Sequence, residues 1–258
     1  MAMRICFEQD YVQKTLDKSK KNDLAVIDPD GIDPIHIRRA VARGVHVYGY
    51  LNACALEKER SYYKEFEDLR IAAYSGWPGE YWVDCTAEKW KKHLISEAKR
   101  FKEAGCKGLY FDNTDLYYMC LKGFREEHTK MIKPAPRAWS VYEALKSVII
   151  EIESASVGII VMPNGGDVFV RKLVKNGWKH LIKTVNQESV LYSDGKRVSR
   201  DDTEYFTDYL DWCKEQGFYI RGIEYTKSLT QAATAKAYYR RRGWQGIYIS
   251  KHHNLRGD

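Results

Sequence analysis

Acidic and amide side chains recur in this sequence directly after short apolar runs. In segment 108–118 (GLYFDNTDLYY) an apolar run ends at Asp112 and continues into Asn113, Asp115 and Tyr117. A second carboxylate, Glu188, follows the apolar run 181–185. Two carboxylic acids around one bond can supply general acid–base or nucleophilic catalysis, and glycoside hydrolysis is the commonest reaction of this kind. Asp112 and Glu188 are therefore the leading candidates for catalysis.

Other apolar runs end in polar residues in the same way: Asp28 and Asp30, Asn52, Asn164, Asn186, and Glu224 with Tyr225. Asp and Asn after a strand also form turns and cap helices, and this role alone would account for Asp30, Asn52 and Asn164. Glutamate is a poor turn residue, so Glu188 and Glu224 favour a functional interpretation. Aromatic residues near these positions could stack on sugar rings, namely Tyr50, Trp77, Trp82, Tyr117, Tyr118 and Tyr225.

The elements that must position these side chains follow from an alternation of apolar runs and helical stretches. The predicted strands are Arg4–Phe7, Leu24–Ile27, Val45–Leu51, Gly108–Asp112, Gly158–Met162, Leu181–Val185, Phe218–Ile223 and Gly246–Ser250. The predicted helices are Tyr11–Lys20, Pro34–Arg43, Ala87–Glu103, Arg137–Glu153, Val168–Lys175, Asp202–Glu215 and Thr230–Arg242. A ninth strand-like run, Tyr81–Asp84, is assigned to the loop after the third strand.

Eight strands with right-handed crossovers predict a single α/β domain over residues 1–258, a (β/α)8 TIM barrel. In such a barrel the C-terminal strand ends lie on one rim, so polar residues far apart in sequence converge on one mouth. We therefore expect the active site at that rim.

Composition excludes several other classes. The 258 residues contain 42 Lys and Arg against 35 Asp and Glu, a formal charge of +7, but the basic residues are spread out. We expect no nucleic-acid partner, no membrane span or signal peptide, and a monomer. Six cysteines without CxxC spacing, and no clustered histidines, predict neither a metal site nor a cofactor. His252 and His253 follow the last strand without a role that their spacing indicates. The sequence leaves the compartment open.

Taken in order, these motifs resemble the endo-α-1,4-polygalactosaminidase family, glycoside hydrolase family 114, over nearly the whole chain. The matching pieces are LAVIDPDG (24–31), YLN (50–52), YFDNTDLY (110–117), PNG (163–165), VNQES (185–189) and IEY (223–225). The resemblance implies a barrel hydrolase acting on α-linked galactosamine- or N-acetylgalactosamine-containing polysaccharide, with Asp112 and Glu188 as its catalytic pair. It implies substrate contacts from residues at the other strand ends: Asp28, Tyr50, Asn52, Asn113, Asp115, Tyr117, Asn164, Asn186, Glu224 and Tyr225. After the third strand this chain has Ala53–Leu56 before Glu57, where family members often carry a glycine and an acid.

Two alternatives remain at this point. One is a non-catalytic carbohydrate-binding barrel that has kept the rim. The other is a divalent-metal hydrolase using Asp28, Asp112 and Glu224. Sequence alone does not fix which of Asp112 and Glu188 is the acid, nor the acetylation state of the glycan.

Overall fold

The fold is built on eight strands with helices between them. The computed structural model describes residues 2–124, 130–154, 157–251 and 255, so His252 and His253 lie outside the described residues. The strands are β1 (Met3–Cys6), β2 (Leu24–Ile27), β3 (His46–Asn52), β4 (Gly108–Asp112), β5 (Ile160–Pro163), β6 (Thr184–Glu188), β7 (Tyr219–Tyr225) and β8 (Gly246–Ser250).

All pairings among these strands are parallel and follow the order of the chain. One sheet runs β1-β2-β3-β4-β5 and a second runs β6-β7-β8. An isolated parallel bridge between Asn164 and Asn186 joins the two sheets on one side. On the other side β1 and β8 lie beside each other, and the amide of Phe7 donates to the carbonyl of Leu255 at 3.0 Å. The strands thus form a ring whose C-terminal ends face the same way.

Seven main helices connect the strands: α1 (Gln9–Lys18), α2 (Pro34–Ala42), α3 (Glu88–Ala104), α4 (Ala138–Glu153), α5 (Asp167–Lys175), α6 (Arg200–Glu215) and α7 (Leu229–Arg242). In α3, for example, the buried residues include Trp90, Leu94, Ala98 and Phe101, which recur at helical spacing and face the strands. Within the described residues, no helix has the length and apolar composition needed to cross a membrane.

The connection between β3 and α3 forms a small sheet of its own. Strands Ala55–Glu57 and Arg70–Ala73 pair antiparallel with Glu80–Val83, and a short helix (Tyr63–Phe66) and a 3-10 turn (Glu67–Leu69) lie between the first two. We refer to residues 53–86 as the β3 insertion. The strand-like run at 81–84 lies in this insertion, outside the ring, as the sequence predicts.

Two other connections contain short elements. The β4–α4 loop, predicted to be irregular, contains a helix from Leu116 to Lys122 that ends at Gly123 in a left-handed conformation (φ 64°). After β6, a hairpin pairs Tyr192–Ser193 with Lys196–Arg197, and a 3-10 turn (Lys179–Leu181) precedes that strand.

The inside of the ring is filled by side chains rather than by solvent. One buried cluster consists of inward-facing residues from opposite strands, including Met3, Val26, Tyr110, Met162 and Ile223. A separate and larger cluster lies between the strands and the helices. Because side chains alternate along a strand, a single strand can contribute to both clusters, as β4 does with Tyr110 inside the ring and Leu109 and Phe111 outside it. Whether a strand residue can reach the mouth of the ring therefore depends on whether its side chain points inward or outward, and this alternates from one residue to the next.

Strand boundaries differ from prediction mainly at β5 and β6. The sixth strand was predicted at 181–185 but runs from Thr184 to Glu188, because Lys179–Leu181 forms the 3-10 turn. The fifth begins two residues later than predicted and includes Pro163. As a result, Asn186 and Glu188 are strand residues with a defined direction rather than members of a following loop.

Candidate active site

A cavity of about 1270 Å³ opens at the C-terminal ends of the strands. The β3 insertion supplies one wall, including Tyr74, Trp77 and Glu80. The starts of α5 and α6 supply another, including Asp167 and Tyr205. Asp112 and Glu188 both line this cavity, as the rim prediction requires.

The two carboxylates are joined by one amide. The Nδ2 atom of Asn164 donates to Oδ1 of Asp112 at 2.9 Å and to Oε1 of Glu188 at 2.8 Å. Asp112 ends β4, Asn164 follows β5 and Glu188 ends β6, so three neighbouring strand ends meet at this point. The predicted Asp112–Glu188 pair is thus a close pair in space.

Glu188 is surrounded by hydrogen-bond donors. Besides Asn164, the hydroxyl of Tyr110 donates to its Oε1 at 2.9 Å and the hydroxyl of Tyr225 donates to its Oε2 at 2.5 Å. Three donors stabilise the charged form of a carboxyl group. Of the two carboxyl groups, Glu188 is therefore the one whose carboxylate oxygens are surrounded by donors.

Asp112 has the opposite character. Burial, followed by the negative charge of Glu188, raises the pKa of Asp112 well above its ordinary value. Hydrogen bonds from Asn164 and from the backbone amide of Asn113 oppose this shift without reversing it. The pair thus places a carboxyl group whose ionisation is disfavoured, Asp112, beside one that accepts three hydrogen bonds, Glu188.

Asn186 lies beneath this pair. It is fully buried, and its Nδ2 atom donates to Asn164 and to Tyr110. It does not line the cavity, so the predicted contact between Asn186 and substrate is not available in this arrangement.

The charged residues of the β3 side form an ion-pair group around Arg60. Its guanidinium lies 2.8 Å from a carboxylate oxygen of Asp28, 2.8 Å from one of Asp30 and 2.5 Å from one of Glu57. Burial raises the pKa of Asp28 to about 6, even though Arg60 opposes the shift. Asp28 thus lines the cavity but is already engaged by a cation.

Tyr50 and Asn52 hold Glu57 against β3. The hydroxyl of Tyr50 donates to Glu57 at 2.9 Å, and Nδ2 of Asn52 donates to it at 3.1 Å. The acid that lies against the YLN segment in this chain is therefore Glu57, which arrives on the first strand of the β3 insertion. Its neighbour Glu80 has a pKa raised to about 7, by burial and then by the charges of Glu57 and Glu59.

Asn113 and Asp115 shape the loop after β4. Asn113 has a left-handed backbone (φ 62°), and its side-chain amide donates to Oδ1 of Asn52 at 3.0 Å. Asp115 accepts from the backbone amide of Gly166 at 3.0 Å. Both residues line the cavity, and both also tie neighbouring loops together.

Two further predicted contacts, Glu224 and Tyr117, lie elsewhere. Glu224 is fully buried and accepts from the amides of Leu191 and Tyr192 and from the hydroxyl of Tyr239, because its position in β7 points outward toward α7. Burial raises its pKa to about 7. Its neighbour Tyr225 points inward and meets Glu188. Tyr117 packs against Tyr142 and Phe169 in the core, and Tyr118 lines the cavity instead.

The aromatic candidates also differ in their exposure to the cavity. Trp82 is fully buried in the β3 insertion, whereas Trp77 is 46 % exposed and lines the cavity. The metal hypothesis also loses its ligand set, because Glu224 is directed away from Asp28 and Asp112. Among the described residues, no group of three or more His, Cys, Asp or Glu side chains is arranged to hold a metal ion.

Sequence reasoning missed Tyr110 and Arg60. Tyr110 could have been found by alternation, since it precedes Asp112 by two residues and must point the same way. Arg60 carries no comparable signal, because it reaches the site from an irregular part of the insertion.

Comparison with known proteins agrees with this geometry. A model of glycoside-hydrolase family GH114 matches residues 4–257. The chain belongs to this family. The membership covers all eight strands and both carboxylates of the pair, so the chain is a GH114 glycoside hydrolase by family.

Two solved structures share this fold. The glycoside hydrolase domain of PelA from Pseudomonas aeruginosa superposes with a TM-score of 0.79 at 17% identity, covering 100% of this chain and 97% of that one. Ega3 from Aspergillus fumigatus, solved in complex with galactosamine, gives 0.72 at 14% identity, covering 98% and 91%. These matches confirm the predicted α/β, TIM-barrel-like fold.

One relative matches this chain over only part of its own length. An uncharacterized protein of Thermotoga maritima is 23% identical over 219 residues, which is 79% of this chain and 64% of the relative. The chain therefore spans just under two thirds of the length of that relative.

Proposed function

We propose that this GH114 protein cleaves polysaccharide containing α-linked galactosamine or N-acetylgalactosamine, with Asp112 and Glu188 as the catalytic carboxyl groups. The observation that carries the proposal is the pair itself, in which one Asn164 nitrogen binds both carboxylates at the mouth of the barrel. Ega3, which has the same fold, has been solved with galactosamine. That complex supports the choice of sugar.

The protonation of the pair supports the reaction type. Glycoside hydrolysis requires one carboxylic acid to protonate the leaving oxygen and one carboxylate to attack or to activate water. The raised pKa of Asp112 favours its protonated form, and Glu188 beside it accepts hydrogen bonds from three donors. The chemistry needs no group beyond these side chains and water.

The spacing of the pair supports retention of configuration. Oδ1 of Asp112 and Oε1 of Glu188 both accept from the same nitrogen of Asn164, at 2.9 Å and 2.8 Å. The distance between these two oxygens therefore cannot exceed the sum of the two bond lengths. This limit is shorter than the roughly 6.5–9.5 Å between carboxyl groups in inverting enzymes, which must admit a water molecule. We therefore expect the product to appear first as the α-anomer, which NMR of a fresh digest measures.

The main test is release of new reducing ends from galactosamine and N-acetylgalactosamine polysaccharides. We expect Asp112→Asn and Glu188→Gln each to lower the rate by at least roughly 10³-fold, because removal of either group leaves no acid–base pair. Asp17→Asn and Glu103→Gln, at exposed positions, are matched controls that keep full activity.

The outcomes separate this proposal from the non-catalytic alternative. Full activity in either site variant would exclude the assigned pair. Binding of the glycans by the wild-type protein and by both variants, with no reducing ends from any of them, would identify a carbohydrate-binding barrel instead.

A further inference from the structure

Asn186 occupies a central place beneath the carboxylate pair. It lies in β6, two residues before Glu188, and is 0% exposed. Its Nδ2 atom donates to Oδ1 of Asn164 at 2.7 Å and to the hydroxyl oxygen of Tyr110 at 3.1 Å. Both hydrogens of this amide are therefore used on two neighbours.

Each of these neighbours donates onward to the pair. Asn164 donates to Asp112 at 2.9 Å and to Glu188 at 2.8 Å, and the hydroxyl of Tyr110 donates to Glu188 at 2.9 Å. Asn186 thus lies one hydrogen bond away from three of the bonds that reach the carboxylates.

The direction of these bonds depends on Asn186. A tyrosine hydroxyl has one hydrogen, so when Tyr110 directs it at Glu188 its oxygen needs a donor, and Asn186 is that donor. The carbonyl oxygen of Asn164 accepts from Asn186, and this turns the NH2 group of Asn164 toward the carboxylates. With the Asn186 amide reversed, its oxygen would face the Asn164 oxygen and favour the opposite orientation of Asn164.

This arrangement has a cost to the fold. The Oδ1 atom of Asn186 is buried without a hydrogen-bond partner among the described residues. An orphaned buried carbonyl destabilises a protein, and an apolar side chain of similar size would avoid that penalty. In exchange, the asparagine supplies two donor hydrogens, which point at the groups that contact the catalytic pair.

We propose that Asn186 is a positioning residue that orients the Asn164 amide and the Tyr110 hydroxyl as donors toward Asp112 and Glu188. It acts through these neighbours and does not touch the substrate. The proposal rests on the proposed function for its kinetic consequences, whereas its effect on the protonation of the pair can be measured without any substrate.

Other titratable groups lie around the pair. Tyr110 on β4, Tyr225 on β7 and Tyr50 on β3 face it, and burial raises the pKa of each tyrosine, which stays neutral through the acid and neutral range. Asp115, in the loop after β4, adds a negative charge near Asp112 and binds the amide of Gly166.

Three carboxyl groups elsewhere in the barrel and its insertion also titrate in this range. Burial raises the pKa of Asp28 to about 6 and the pKa values of Glu80 and Glu224 to about 7. The measurement therefore uses resonances assigned to Asp112 and Glu188 individually.

The test is Asn186→Leu, which keeps the size of the side chain and removes both donors. Loss of oriented donors destabilises the anionic form, so the carboxyl titration of the pair should move to higher pH. Carbon-13 NMR of the Asp and Glu carboxyl carbons measures the titration, and the pH dependence of kcat/KM should shift in the same direction.

Kinetics at the wild-type optimum distinguish positioning from substrate binding. We expect kcat to fall roughly 10- to 100-fold with KM within about twofold, because no substrate contact is lost. Asn176→Leu is the matched control, since Asn176 also donates to a tyrosine hydroxyl, that of Tyr142 at 2.9 Å, away from the pair. It should leave the carboxyl titration and the pH profile unchanged.

A second variant covers the case in which Asn186→Leu does not fold. Tyr110→Phe removes one of the two neighbours through which Asn186 acts and should shift the carboxyl titration of the pair by a smaller amount. An unchanged carboxyl titration in the folded variants, or an equal shift in Asn176→Leu, would overturn the positioning role. If the wild-type protein releases no reducing ends, the proposed function fails, and the NMR titration still decides the role of Asn186.

Discussion

At the scale of single residues, Asp112 and Glu188 have the same functional group and different surroundings. Glu188 accepts from Tyr110, Tyr225 and Asn164, which favours its charge. Asp112 faces that charge from a desolvated position, which raises its pKa. Two carboxyl groups with different surroundings are the arrangement that acid–base catalysis uses.

The raised pKa of Asp112 also predicts an effect on stability. A carboxyl with a raised pKa binds its proton more tightly in the folded protein than in the unfolded chain. Rising pH, from the ordinary aspartate value of about 3.9 up to the raised value, therefore favours unfolding. Asp112→Asn removes this penalty, so we expect a melting temperature several degrees higher at pH 7, with the gain shrinking as the pH falls toward 4. Thermal unfolding followed by circular dichroism measures it.

The control for this experiment is Asp17→Asn, an exposed aspartate on α1. It should give no gain at either pH. A gain for Asp112→Asn that is the same at pH 4 and pH 7 would contradict the link to ionisation. The expected trade of stability for activity is common at catalytic groups.

At the scale of elements, the β3 insertion brings a cation, Arg60, to the cavity. Arg60 bridges Asp28 and Asp30, which follow β2, to Glu57 on the first strand of the insertion. Its side chain is only 14% exposed, so these charges are shielded from water. The ion-pair group thus fastens the insertion to the barrel rim.

Removing the cation from this group should be costly. We expect Arg60→Met to lower the free energy of unfolding by about 3 kcal/mol at pH 7, because it leaves the buried carboxylate of Asp28 without its cation. Burial already raises the pKa of Asp28 to about 6, and without Arg60 it would rise further, so the folded state would bind a proton that the unfolded chain releases. Part of the loss should therefore return between pH 7 and pH 5. Urea unfolding at both pH values measures the change.

An exposed ion pair provides the comparison. Arg200→Met removes a partner of Glu204, but the Arg200 side chain is 87% exposed, so the effect should stay within about 0.5 kcal/mol. An equally small effect for Arg60→Met would show that the ion-pair group does not hold the insertion.

The elements show where prediction from sequence succeeded and where it could not. The alternation of apolar runs and helices predicted all eight strands, because parallel strands buried on both faces leave a strong apolar signal, as in the fully buried LAVI of β2. Asp112 and Glu188 were found because a carboxylate at the end of such a run is unusual. Glu224 was assigned to the mouth wrongly, since a one-residue difference in parity sends it to the opposite face from Tyr225.

Other parts of the site leave no local signal. The proximity of Glu57 to Tyr50 depends on the path of the β3 insertion, and the position of Arg60 depends on tertiary packing in the same way. The role of Asn164 as a bridge requires knowing that three strand ends meet. These are long-range facts that neither periodicity nor turn chemistry encodes.

At the scale of the whole molecule, the charge of the cavity contrasts with that of the chain. The formal net charge is +7, yet among the described residues that line the cavity ten carry carboxyl groups and one, Arg60, is a base. A basic surface with an acidic mouth would repel a cationic polymer at long range and attract it at short range. The two effects differ in their sensitivity to salt.

This contrast predicts how substrates should respond to ionic strength. For a deacetylated, cationic galactosamine oligomer we expect KM to rise several-fold between 50 mM and 500 mM NaCl, because salt screens the attraction to the acidic mouth. For the N-acetylated, neutral oligomer KM should change by less than about twofold. Initial rates of reducing-end release over a range of substrate concentrations measure both. A KM for the cationic oligomer that falls as salt is added would mean that repulsion by the basic surface dominates, and would favour the acetylated glycan as the substrate.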